Sequence, residues 1–151
     1  MGCRKIVSRE EALKLILGST YPLETIKLPI EEALGYAAGD NVYASADIPR
    51  FNRAAMDGYA ICSKDTANAT SEHPLRLEIV GEIRPSTAEL VPIQTGQAVR
   101  IMTGGPIPPG ADAVVKEEDA RCSAGTIEER SVVLPSQHVW EKGKDVKTGS
   151  L

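Results

Sequence analysis

The sequence predicts an α+β protein that is mostly β, with a small helix-bearing lobe and an inserted lobe resembling an antiparallel β barrel or sandwich. Helical apolar spacing is confined to the first 35 residues, and short runs with strand-like alternation follow it. Proline and glycine separate those runs at regular intervals. The 151 residues suffice for one domain or two small lobes, and we predict one lobe from 1–46 with 136–151 and an inserted β-rich lobe from 47–135.

Two helices are predicted from their boundary signals. Ser8 and Glu11 form a capping box, and Gly18 supplies a left-handed residue to end the first helix. A second, shorter helix is predicted over Ile30–Leu34, closed by Gly35. Each helix has one apolar face and is expected to dock on another surface, the first through a stripe of Ala12, Leu13, Ile16 and Leu17.

The strands are predicted from short apolar runs bounded by turn residues. Leu75–Val80 alternates most clearly, because Leu75, Leu77 and Ile79 alternate with more polar neighbours. The other predicted strands are Asn41–Ala46, Ala98–Met102, Ala113–Glu117, Thr126–Glu128 and Val132–Leu134.

Composition excludes several functional classes. The 17 basic and 21 acidic residues give a net charge of −4, and no basic cluster is visible, which argues against nucleic acid as a partner. Cys3, Cys62 and Cys122 are odd in number and far apart, so neither a disulfide framework nor a CxxC metal site is expected. No apolar run of about 20 residues is present, which argues against a membrane partner. Without a signal-like start, a cytoplasmic location is predicted.

The first segment that could carry chemistry is Pro49–Ala60. Gly58 permits close backbone approach to a ligand, Asp57 could bind a divalent cation, and Arg53 could pair with an anion. The alternative is a tight Asp-Gly hairpin turn in which Asp57 bonds its own backbone. Spacing alone favours the turn.

Two further segments are candidates. In Arg100–Val115, Thr103 and Gly104 could cradle an oxyanion, although the residues alone slightly favour a rigid Gly/Pro-rich connection that only sets strand register. In Gly143–Gly149, Asp145 lies near two lysines in what reads as an exposed turn. The acidic run Glu117–Asp119 reads as a solvated face.

Together, the three segments resemble the molybdopterin molybdenumtransferases, a family that includes the C-terminal domain of gephyrin. Phe51–Ala60 resembles the family's SAMDGYA signature, and Arg100–Val115 with Glu118 resembles its RIMTGAPVPxGADAVVxxE stretch. Gly143–Gly149 resembles its GEDIxxG element. The order of the three motifs agrees, and the resemblance covers essentially the whole chain.

The resemblance implies insertion of molybdate into adenylylated molybdopterin with release of AMP, in a Mg²⁺-dependent step. It assigns catalytic roles to Asp57, Thr103 and Asp145, with Asp57 and Asp145 as metal ligands. It places cofactor binding at Arg53, Gly58, Gly104 and Glu118. It also implies a homodimer and a molybdopterin adenylyltransferase as the upstream pathway partner.

The resemblance also implies an absence. Family members continue into a C-terminal α/β domain and a small β domain, and this chain ends without a closing turn, as if cut. We therefore expect the isolated chain to lack molybdate-insertion activity.

Departures from the motifs keep other readings open. Ala54 replaces the usual serine, Gly105 an alanine and Lys144 a glutamate, and Trp140 and Glu141 stand where the family tends to be basic. A non-catalytic scaffold or dimerisation module derived from this family is the alternative. A stand-alone metal-dependent hydrolase is a poorer one, because no general base or third ligand is evident.

Overall fold

The structure, a computed structural model, describes residues 6–151, so the prediction concerning Cys3 lies outside it. Contacts divide the chain into two units, Met1–Val42 and Tyr43–Leu151. Most regular structure is strand, as the sequence predicts, and the fold class is confirmed. The grouping of 136–151 with 1–46 stays a prediction. No helix within residues 6–151 is long and apolar enough to span a bilayer.

The first unit contains helix α1, Arg9–Gly18, and a 3-10 helix, Ile30–Glu32, where a longer second helix was predicted. The capping box is confirmed: Ser8 Oγ accepts the N–H of Glu11 at 3.1 Å, and Glu11 Oε2 accepts the N–H of Ser8 at 3.3 Å. Gly35 follows the 3-10 helix with φ +92°.

The prediction that Gly18 ends α1 in a left-handed conformation is wrong. Ser19 caps the helix with φ −104°, and its N–H donates to the carbonyls of Leu15 and Ile16. Its hydroxyl also donates to Ile16 O at 2.9 Å. Because these bonds occupy the free carbonyls of the last turn, no left-handed residue is needed.

The second unit contains eight strands and a 3-10 helix, Ser63–Asn68. The strands are β1 Arg53–Ala54, β2 Gly58–Ile61, β3 Leu75–Ile83, β4 Gln97–Ile101, β5 Ala113–Lys116, β6 Arg121–Ser123, β7 Thr126–Glu129 and β8 Val139–Trp140. Six of them form one curled sheet in the order β5-β2-β4-β3-β7-β6, and β1 pairs with β8 separately.

One strand pair differs from the predicted antiparallel arrangement. β3 and β4 run parallel, with Glu78 opposite Gln97 and Ile83 opposite Ile101. The 13 residues between Ile83 and Gln97 make this possible, because a parallel pair needs a crossover of about a dozen residues or more.

Strands β2 and β5 bury side chains on both of their faces. Along β2, Ala60 belongs to one apolar cluster while Tyr59 and Ile61 belong to another. Along β5, Val114 belongs to the first cluster, while Ala113 and Val115 belong to the second. Side chains alternate across a strand, so a strand between two clusters is apolar throughout. This explains the continuous apolar runs of β2 and β5.

Two predicted strands are wrong. Asn41–Ala46 is irregular, although Ala44 exchanges two backbone hydrogen bonds of 2.8 Å with Gly149 and Ser150. Val132–Leu134 is also irregular, because side chains satisfy its backbone: the N–H of Val133 donates to Thr66 Oγ1 at 2.9 Å.

Replacing Thr66 by valine should destabilise the second unit. The Thr66 hydroxyl is fully buried, donates to Ser63 O at 2.7 Å and accepts the N–H of Val133. Thr66→Val leaves both groups unpaired, and we expect a loss of about 1–3 kcal/mol in urea unfolding. Thr70→Val is the control, because exposed Thr70 accepts the N–H of His73 where water can replace it. Equal losses in the two variants would contradict this account.

Candidate functional site

Pairing of β2 with β4 brings the first two sequence motifs together. Gly58 lies opposite Ile101, so Asp57 and Thr103 are adjacent just beyond the ends of the two strands. Thr103 donates both its backbone N–H and its hydroxyl to Asp57 Oδ1, each at 2.7 Å. Asp57 O in turn accepts the N–H of Glu117 at 3.0 Å, which joins the loop after β5 to the same place.

The environment of Asp57 favours its ionised form. The hydroxyl of Thr103 lowers the pKa of the Asp57 carboxyl, and the backbone N–H of Thr103 lowers it further. Slight desolvation opposes these bonds, while the positive charge of Arg100 adds to them. Asp57 is therefore a carboxylate well into the acidic range.

Asp57 and Thr103 line a groove of about 530 Å³ at the ends of β2, β4 and β5. Three carboxylates and one ammonium group contribute to it, and the complete lining is Met56, Asp57, Thr103, Lys116, Glu117 and Glu118. Glu117 accepts from Arg100 at 2.8 Å, and Glu118 lies 3.4 Å from Lys116 Nζ. We call this site the acidic groove.

Three of these groove residues are not among the predicted site residues: Met56, Lys116 and Glu117. Lys116 was not singled out, and Glu117 was interpreted as part of a solvated face. Both follow from the pairing of β5 with β2, because Gly58 lies opposite Lys116. Because β2 is not among the predicted strands, the position of Lys116 and Glu117 beside Asp57 could not be predicted from the sequence.

The glycines of the motifs make close backbone contacts. A Cβ on Gly58 would overlap the carbonyl oxygen of Val115, so the close approach there is to β5. Gly104 has φ +83° and donates its N–H to Ala54 O at 2.8 Å. Ala54, where the family has serine, is buried and donates its N–H to Gly105 O at 2.8 Å. This exchange fixes the Thr103–Gly104 turn against β1.

Arg53 and Asp145 lie outside the residues that line the acidic groove. Arg53 is half-buried in β1, opposite Trp140 of β8. Asp145 accepts the indole N–H of Trp140 at 3.2 Å and donates its own N–H to Ile48 O at 2.9 Å. Lys144 Nζ lies 4.8 Å from the Trp140 ring centre. The groove thus brings together Asp57, Thr103 and Glu118, but not the third motif.

A second Asp–Thr pair shows that this arrangement alone does not make a site. Asp47 Oδ1 accepts the N–H and the hydroxyl of Thr148 at 2.8 and 3.0 Å. These bonds also lower the pKa of Asp47, the backbone bond contributing most. Asp57 differs because it opens into a groove with two further carboxylates.

Thr103→Val should raise the pKa of Asp57 towards the ordinary aspartate value of about 3.9. The variant removes the hydroxyl donor and keeps the backbone N–H, so part of the lowering remains. A carboxyl group whose pKa is lowered by folding stabilises the folded state at pH values above its ordinary pKa. That stabilisation is lost as the pH falls through the lower pKa of the folded state. Carboxyl ¹³C NMR titration measures the pKa. An unchanged value would show that the hydroxyl is not its main cause.

The donor set fits a hard divalent cation only in part. Carboxylate oxygens are the ligands that Mg²⁺ prefers, and Asp57 keeps Oδ2 free of the bonds from Thr103. Among residues 6–151, no three His, Cys, Asp or Glu side chains converge as a metal cage. Mg²⁺ commonly binds one or two carboxylates together with water and substrate phosphate, which this groove can accommodate.

Comparison with known proteins identifies relatives over nearly the whole chain. A curated molybdopterin molybdenumtransferase of Staphylococcus epidermidis is 34% identical over 148 residues, covering 98% of this chain and 35% of the relative. Molybdopterin molybdenumtransferase 2 of Mycobacterium tuberculosis is 35% identical over 125 residues, covering 83% of this chain and 31% of the relative. The chain therefore spans about a third of the length of these relatives.

Solved structures agree in fold. The molybdopterin biosynthesis MoeA protein of Pyrococcus horikoshii superposes with a TM-score of 0.84 at 36% identity, covering 97% of this chain and 39% of that protein. The family profile described as MoeA N-terminal region (domain I and II) matches residues 7–151. The chain belongs to this MoeA N-terminal family, whose curated relatives are named molybdopterin molybdenumtransferases.

Proposed function

We propose that this chain supplies the acidic groove to a molybdopterin molybdenumtransferase, which inserts molybdate into adenylylated molybdopterin and releases AMP. The observation that carries the proposal is the convergence of Asp57, Thr103 and Glu118 on one groove. These residues come from two separate motifs of the resemblance. The names of the relatives support the same reaction class.

The geometry of the groove supports the roles proposed for Asp57 and Thr103. Thr103 holds one oxygen of Asp57 with two donors, so the other oxygen is oriented for a ligand. A Mg²⁺ ion bound there would neutralise charge on the phosphoanhydride. Glu118 adds negative charge beside Asp57, and Lys116 lies close enough to Glu118 to form an ion pair with it. Four other residues keep proposed site roles that rest only on the resemblance of their motifs: Arg53, Gly58, Gly104 and Asp145.

We further propose that the active protein is a homodimer containing additional domains, supplied with substrate by a molybdopterin adenylyltransferase. The first unit supports association with other surfaces, because α1 buries none of its residues. Leu13, Ile16 and Leu17 are each more than half exposed. Apolar side chains at this density on one helix need a partner surface. A cytoplasmic location and the inactivity of the isolated chain are further parts of the proposal.

The test is a chimera in which this chain replaces the matching 148 residues of the Staphylococcus epidermidis relative. The chimera is expressed in cells that lack that relative, and molybdoenzyme activity is measured. We expect activity to be restored by the chimera and not by the chain alone. Restoration by the chain alone would contradict its proposed inactivity.

A scaffold module is the second candidate, favoured by the alanine at position 54 and the lysine at 144. It predicts a chimera that assembles normally but leaves the cells without molybdoenzyme activity. Sedimentation of the purified chimera measures assembly, so the two outcomes are distinguishable.

A further inference from the structure

A second hollow, of about 690 Å³, lies on the same unit as the acidic groove. Three segments and one lysine line it: residues 50–52, the loop between β3 and β4, Pro106 with Ile107, and Lys142. Its volume falls in the range of about 300–1,000 Å³ that small-molecule sites occupy. We call it the basic hollow.

The charge of the basic hollow is opposite to that of the groove. Its lining contains Arg50 and Lys142 and no carboxylate, whereas the acidic groove has three. Arg50 makes no hydrogen bond or ion pair with any residue that the structure describes. An arginine without a partner in a hollow that lacks acids favours an anionic ligand.

Lys142 can also turn to a ligand at small cost. Its Nζ lies 3.4 Å from Asp47 Oδ2, and the side chain is 58% exposed, so this pair is weak. Asp47 keeps both bonds from Thr148 without it. The backbone of Lys142 is held in place, because its N–H donates to Asn52 Oδ1 at 2.8 Å.

The rest of the lining suits a flat apolar body with polar edges. Phe51 is 46% exposed, and Pro85, Pro106 and Ile107 add rigid apolar surface. Ser86 and Thr87 place hydroxyl-bearing side chains in the same lining. Aromatic and proline surfaces accept planar rings, while the two cations accept phosphate oxygens.

The hollow and the groove are neighbours. Thr103 lines the groove, and a Cβ on Gly104, the next residue, would lie 3.6 Å from Cγ of Pro85, which lines the hollow. The Thr103–Gly104 turn therefore stands between an acidic and a basic site.

We propose that the basic hollow binds a phosphate ester carried on a planar ring, with Arg50 and Lys142 on the phosphate and Phe51 against the ring. The identification of that ester as an adenylyl compound rests on the proposed function. The charge and shape of the hollow are observed independently of that function. AMP is therefore the probe, and adenosine and inorganic phosphate are its two halves.

Calorimetric titration of the 151-residue chain tests the proposal. We expect AMP to bind at least tenfold more tightly than adenosine or inorganic phosphate. Arg50→Gln and Lys142→Gln should each weaken AMP binding about tenfold, and Phe51→Ala should weaken AMP but not phosphate. Arg121→Gln is the control, because it removes one positive charge from an exposed site outside the hollow. Circular dichroism checks that each variant is folded.

Each other outcome overturns the proposal or part of it. Absence of AMP binding, or unchanged AMP binding in Arg50→Gln and Lys142→Gln, would refute the site. Phosphate binding as tight as AMP would refute the ring contact, and adenosine binding as tight would refute the phosphate contact. The chimera assay is separate: an active chimera whose chain fails to bind AMP would refute the hollow and leave the proposed function standing.

Discussion

Asp57→Asn in the chimera should lower the rate of molybdenum insertion by about a hundredfold or more. Asparagine keeps the size of the side chain, and its carbonyl oxygen can still accept both bonds from Thr103. The variant removes one of the three negative charges that the groove presents to a cation, the one on Asp57. The loss should therefore fall on the reaction and leave the fold unchanged.

The matched control is Asp119→Asn, which removes one negative charge from an exposed side chain just beyond the groove lining. We expect it to keep the insertion rate of the unmodified chimera within about threefold. The rate is measured as cofactor formed per minute at saturating molybdate and Mg²⁺. Equal losses in the two variants would mean that net charge matters and the position of Asp57 does not.

Gly58→Ala should destabilise the second unit by about 3 kcal/mol or more, enough to unfold a marginal domain. The added Cβ would overlap the carbonyl oxygen of Val115 and lie 2.9 Å from its carbonyl carbon. Both atoms are backbone atoms of β5, so no side chain can move aside. The strain falls on the pairing that holds the acidic groove together.

Gly81→Ala is the control for Gly58→Ala. Gly81 lies in β3, where an added Cβ would make an ordinary contact of 3.6 Å with Val99 Cγ2. We expect the free energy of unfolding of Gly81→Ala to change by less than about 1 kcal/mol. The alanine restricts the backbone of the unfolded chain and introduces no clash in the folded state. Urea unfolding measures both variants. A loss below 1 kcal/mol in Gly58→Ala would show that β5 can shift to admit the methyl group.

Local signals predicted the parts of the fold that depend on neighbouring residues. The capping box of Ser8 and Glu11 needs only four residues, and the alternation of β3 reflects one face more buried than the other. The missed strand β2 is apolar on both faces because it lies between two clusters. Strand β5 shares this property and was predicted from its apolar run, whereas β2 begins at Gly58, inside the Asp-Gly segment that spacing favours as a turn.

The wrong strand at Val132–Leu134 has a similar cause. Its apolar composition reflects the burial of Val133, but the N–H of Val133 pairs with the side chain of Thr66, 67 positions earlier. Composition predicted the burial and could not predict the partner. Likewise, Asp57 and Thr103 were each selected from their own motif, while the groove they share with Lys116 and Glu117 depends on strand register.

The most direct test of the central claim counts the products of the purified chimera. The chimera is incubated with adenylylated molybdopterin, molybdate and Mg²⁺, and bound molybdenum and released AMP are measured together. We expect one AMP to be released for each molybdenum inserted, and both amounts to fall about a hundredfold in Asp57→Asn. A chimera that assembles as the relative does, yet inserts no molybdenum, would contradict it.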